Sequence, residues 1–87
     1  MIELVSIRPA GEAVLELTFS DGSSGVWSAK ALIARDTGLA RPLADPDYFA
    51  RAFIEAGALA WPNGLELSAH GLQRRLDEAG ALKRKAA

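Results

Sequence analysis

Eighty-seven residues, 49% of them apolar and 24% charged, bound a single folded domain, because the chain is too short for a second hydrophobic core and too apolar for a disordered segment. The absence of cysteine excludes disulfides, thiolate metal sites and cysteine nucleophiles, and no run nears the ~18 apolar residues of a membrane span. The net charge of −1 is uneven: residues 1 to 82 carry seven basic against eleven acidic side chains, a net of −4, while Lys83, Arg84 and Lys85 make a basic end, so broad phosphate binding by the body is not expected.

Residues 2 to 8 (IELVSIR) have the β-branched composition of a strand, but the apolar phase slips between Leu4 and Val5, which implies burial on both faces or a bulge. RPAGE follows, with Pro9 suited to the first central position of a turn and Gly11 to a left-handed one. Residues 13 to 19 alternate cleanly, Leu15, Leu17 and Phe19 on one face and Val14, Glu16 and Thr18 on the other. The Asp21-Gly22 pair then reads as a hairpin turn into a third strand over 24 to 28, completing an antiparallel meander. In that short strand Val26 is expected inward and Trp27 outward, which makes Trp27 a candidate interaction residue.

Ser28 is placed to cap a helix over 29 to 35 carrying Ala29, Leu32 and Ile33 on one side, and Asp45-Pro46-Asp47 signals a second helix over 46 to 52 that packs through Tyr48 and Phe49. Residues 53 to 57 and 58 to 61 read as short strands or one bent strand, and 65 to 67 as a hairpin partner across Trp61-Pro62-Asn63-Gly64. In that turn Pro62 presets φ and Gly64 takes the left-handed conformation. Trp61 is more than a turn requires, and is a core anchor or an interface residue. Ser68 caps a final helix over 69 to 79 with Ala69, Leu72, Leu76 and Ala79 in phase, Arg74 and Glu78 paired, and Gly80 closing it. Residues 81 to 87 are expected as a flexible basic tail beyond a domain of residues 1 to 80. The fold class is therefore α+β: a three-stranded meander, short helices, a C-terminal hairpin and a closing helix.

The order LTFSDGS, then RPLADPDYFARAFIEAGALAWPNGLEL, resembles a widespread family of small bacterial domains of unknown function over roughly residues 2 to 76. Its specific parts are the Phe19-x-Asp21-Gly22 hairpin, the Asp45-Pro-x-x-Phe49 segment and the Trp-Pro-Asn-Gly turn. The resemblance implies an α+β domain with no established enzymatic activity. Some relatives carry an appended helix-turn-helix domain, and short ones are often encoded beside a second small protein in arrangements that look like toxin-antitoxin pairs. Members usually have an acidic residue two positions after the turn glycine, so a site in this chain would include Asn63 and Glu66.

Catalytic chemistry finds little support in the residues. The lone histidine, His70, lies near Ser68, but a serine there is a helix cap, and Asp45 and Asp47 flank a helix start where acids belong. Asp77 and Glu78 point about 100° apart on a helix and do not form an acid/base couple. No metal, no cofactor and no enzymatic activity are expected. The expected role is a cytoplasmic, non-membrane protein-interaction domain, a homodimer in the absence of a small partner protein. A ligand-sensing module akin to the N-terminal half of transcription regulators stays open beside it.

Overall fold

The alternation of Leu15, Leu17 and Phe19 organises the first half of the chain. In the computed structural model, which describes residues 1–85, β1 (Leu4–Gly11), β2 (Val14–Phe19) and β3 (Ser24–Ser28) form an antiparallel sheet in sequence order. Leu15, Leu17 and Phe19 are buried beneath it, while Val14, Glu16 and Thr18 face outward. The slip at Leu4–Val5 is a bulge: Leu4 pairs with Phe19 and Ser6 with Thr18, leaving Val5 extra and exposed.

The first reversal lies two residues later than expected. Pro9 and Gly11 remain in β1, opposite Leu15 and Val14, and the turn falls on Glu12 and Ala13, with Ala13 at φ 57°. Register is the reason. With Leu15 bonded towards β3, its partner Pro9 occupies a position whose missing N–H would face the free edge, where proline costs no ladder bond.

The second turn is as expected, with Gly22 at φ 87° donating to the Phe19 carbonyl at 2.9 Å. Three short helical pieces follow, α1 (Lys30–Ala34), a 3₁₀ turn (Arg41–Ala44) and α2 (Pro46–Phe49). The Ser28 hydroxyl accepts from the Lys30 N–H at 3.2 Å, and Asp45 Oδ1 accepts from the Asp47 N–H at 3.0 Å. α2 is shorter than expected because the chain leaves it at Ala50 to enter the second sheet at Phe53.

That sheet resolves the choice between one bent strand and two. β4 (Phe53–Glu55) and β5 (Ala58–Ala60) join through Ala56 and Gly57 at φ 51° and 82°, the paired left-handed residues of a tight hairpin, and β6 (Glu66–Leu67) pairs with β5. The two sheets meet where the Leu4 N–H donates to the Gly57 carbonyl at 2.8 Å.

α3 (Ala69–Glu78) closes the fold, capped by Ser68 Oγ accepting from the Gly71 N–H at 3.0 Å, with Ala69, Leu72 and Leu76 buried. It ends in two crossing bonds, Gly80 N–H to Asp77 carbonyl (3.1 Å) and Ala81 N–H to Leu76 carbonyl (2.8 Å), around Gly80 at φ 70°. This reversal corrects the expected free tail over residues 81 to 85. Leu82 packs against the core, and Lys83 exchanges backbone hydrogen bonds with Ser24 at 2.7 and 2.8 Å. Ala86 and Ala87 lie outside the described residues. Among the described residues no helix is long and apolar enough to cross a membrane.

Candidate functional site

The Trp61–Gly64 turn is a tie between three segments. Gly64, at φ 94°, donates to the Trp61 carbonyl at 3.1 Å, which closes the turn around Pro62 and Asn63. Asn63 Nδ2 donates to the Leu39 carbonyl (3.0 Å), its Oδ1 accepts from the Leu65 N–H (3.1 Å), and its N–H donates to the Tyr48 hydroxyl (3.0 Å). Trp61 Nε1 donates to the Phe49 carbonyl at 3.1 Å, and the indole, 1% exposed, packs its ring 5.8 Å from that of Phe49. Of its two sequence readings, Trp61 is therefore the core anchor. The Asn63 amide is committed to holding the loop before the 3₁₀ turn against the second sheet.

Trp27 corrects a firmer expectation. It lies opposite Leu15 and is 6% exposed, whereas Val26 lies opposite Glu16 and is 52% exposed. The meander decides this: a residue across from an inward leucine in an antiparallel pair shares its face. Trp27 is thus unavailable as the exposed aromatic of a dimer contact. Glu66 stays exposed on β6 opposite Ala60, beside a hollow of about 150 Å³ that also takes in Ser68, Gly71 and Arg75; neither Trp27 nor Asn63 borders it.

A polar cluster binds the second hairpin to α3. Asp21 Oδ1 accepts from the Ser23 hydroxyl (2.6 Å) and N–H (2.9 Å), and Gln73 Nε2 donates to Asp21 Oδ2 (3.0 Å) and to Ser23 Oγ (2.9 Å). The Ser23 hydroxyl, then its N–H, hold the Asp21 carboxyl below its ordinary range. With Ser23 1% exposed and its oxygen fully engaged, the cluster is a fastening and not a nucleophile with its base. His70 is exposed on α3, and among the described residues no three His, Asp or Glu side chains gather to hold a metal ion.

What remains open is an apolar cleft between the β1–β2 reversal and the helical pieces. It has two adjoining lobes. One, of about 210 Å³, lies over Leu15 between Pro9 and Ala50; the other, of about 280 Å³, lies between Ile33 and Leu43. Glu12, Ala13, Pro46 and Phe49 line both, so the lobes form one continuous depression. Its ionisable members are Glu12 and Lys30, both exposed. The cleft exists because helices of four and five residues are too short to seal the face they cover.

None of the cleft's residues figured among the sequence candidates as binding groups. A signal was present in the alanines at 34, 44, 50 and 52, small residues in and just after the helical pieces that cannot fill the space beside them. Pro9 and Gly11, read as turn residues, border one lobe.

Neither the curated proteins nor the solved structures match this chain. The family model described as "Protein of unknown function (DUF2442)" matches residues 4–78, which takes in both sheets, the cleft, the Trp61–Gly64 turn and α3. The chain belongs to the DUF2442 family.

Proposed function

We propose that this protein is a non-catalytic interaction domain whose cleft between the β1–β2 reversal and α1–α2 takes an apolar segment of a small partner protein. The observation that carries the reading is the shape and chemistry of that cleft. The two lobes are joined at Phe49 into one apolar depression, which suits two anchor side chains of one segment. The lining is aliphatic and aromatic, and Glu12 and Lys30 supply one charge of each sign for orientation. That composition buries apolar side chains; it does not assemble a nucleophile, a base and a stabilised leaving group. The resemblance to small domains encoded beside a second small protein points the same way, towards the lesser member of a toxin-antitoxin-like pair.

The test is selection of peptides from a displayed library on the immobilised protein, repeated with Ala50→Trp and Ala34→Trp. Each substitution fills one lobe from an exposed position. Selected peptides should carry two apolar residues at helical spacing, bind the parent at micromolar concentration and lose at least tenfold affinity for both variants. Peptides indifferent to both substitutions place the interaction elsewhere. Small apolar compounds that raise the melting temperature while no peptide binds favour the ligand-sensing alternative instead.

A further inference from the structure

The edge of β3 is a strand-acceptor site, occupied by the chain's own C-terminal segment, and we propose that a second copy of this chain supplies that segment in exchange, giving a strand-swapped dimer. The acceptor is built for an extended peptide. Bonds from Phe19 N–H to Ser23 carbonyl and from Ala29 N–H to Ala13 carbonyl fix the odd positions of this stretch towards β2, so the backbone groups of Ser24, Val26 and Ser28 face the outer edge. Ser24 is the point where Lys83 pairs.

Two glycines form the track along which the segment runs. A Cβ at Gly25 would stand 2.9 Å from the Ala81 carbonyl oxygen, and one at Gly22 would stand 2.6 Å from Lys85 Cδ. Between those points Leu82 packs on the core, and Arg84 meets Asp77 at 3.4 Å. Ala81, Lys83, Arg84 and Lys85 thus each have a matching feature on β3, its turn or α3, and Leu82 has one in the core. The opposite edge of the sheet is different, with bulges at Val5 and Ala10 and Pro9 facing outward. Beyond the Leu4–Gly57 bond, strand pairing is hindered there, whereas the β3 edge pairs with Lys83.

One residue decides which copy the segment serves. Gly80, in the left-handed conformation at φ 70°, reverses the chain so that 81–85 fold back on their own β3. Its neighbours Ala79, Ala81, Leu82 and Lys83 are all strong helix formers. Without the left-handed turn, α3 continues and carries the segment away from its own sheet. In the purified protein, the acceptor that matches it is then β3 of a second copy. This surface is separate from the cleft, and the inference does not depend on what the cleft binds.

The chain has no cysteine, so the double variant Ser24→Cys/Lys83→Cys reports which copy provides the segment. A disulfide within one chain runs as a monomer on a non-reducing gel; a disulfide across a swap runs as a covalent dimer. The covalent dimer should appear as protein concentration rises. It should grow about fivefold or more on adding Gly80→Ala, since alanine resists the left-handed conformation that glycine adopts freely. Each single-cysteine variant should give only background dimer. Should the Gly80→Ala chain not fold, Gly80→Asn serves in its place, with a smaller rise. Disulfides confined to single chains at every concentration in a folded Gly80 variant overturn the proposal. So does a dimer in sedimentation whose disulfides are all intramolecular, or equal covalent dimer from the single-cysteine controls.

Discussion

Two turns of this protein share a local logic and meet different fates. Arg8-Pro9-Ala10-Gly11 and Trp61-Pro62-Asn63-Gly64 each offer a proline followed two residues later by a glycine. The second turns where that chemistry says it should, and is tied by side-chain bonds to Leu39, Tyr48 and Phe49. The first does not turn at all; its proline lies in an edge strand and the reversal passes to Glu12 and Ala13. Turn residues permit a reversal, and the inward alternation of Leu15, Leu17 and Phe19 decides where it occurs. The outcome divides the labour between them: the tied turn holds three segments together, and the untied reversal forms one wall of the cleft.

The sharpest way to break this contrast is Trp61→Ala. Removing a fully buried indole that packs on Phe49 and donates to its carbonyl should cost about 3 to 5 kcal/mol, read as a lower urea midpoint, and leave a domain of this size near the limit of folding. A loss below about 1 kcal/mol would mean that the turn is not the tie described.

Gly64→Val comes next, at about 1 to 3 kcal/mol, because a β-branched side chain resists φ 94° even though open space surrounds the position. Melting and peptide binding should be measured together. Binding lost at an unchanged melting temperature would turn the tie into part of a site.

At the untied reversal the sign is opposite. Ala13→Gly relieves a left-handed alanine and should stabilise by about 0.5 kcal/mol, a rise of a few degrees in melting temperature. A destabilised variant would show that the methyl group's packing at the cleft outweighs the backbone conformation.

The third turn sharpens the comparison through pH and gives the smallest effect, since Asp21 is exposed. Its folded carboxyl titrates below the unfolded value, so its contribution is fully present above the unfolded range near pH 4 and is lost as pH falls through the folded value. In thermal melts between pH 6 and pH 2, the advantage of the parent over Asp21→Asn should shrink towards the acid end. An unchanging gap would remove the carboxylate from the stability of the hairpin.

Much of the fold was legible because its signals are local. The slip at Val5, the caps at Asp45 and Ser68, the Asp21-Gly22 hairpin and the stop at Gly80 each depend on residues a few positions apart. Trp27 was misplaced because its face follows from pairing with Leu15 across a loop, and period alone cannot set that parity in a five-residue strand. The docking of Lys83 depends on a strand nearly sixty residues away. The cleft was the least legible of all, being a property of what short helices fail to cover and not of any residue's chemistry.

The seam between the sheets bears on how the molecule forms. Within each sheet every strand pairs with its neighbour in sequence, so both meanders close over short loops, whereas the Leu4–Gly57 bond joins regions that only meet once each sheet exists. Loop-closure entropy makes such a contact late. A substitution that weakens this seam without touching either hairpin should therefore speed unfolding while hardly slowing folding.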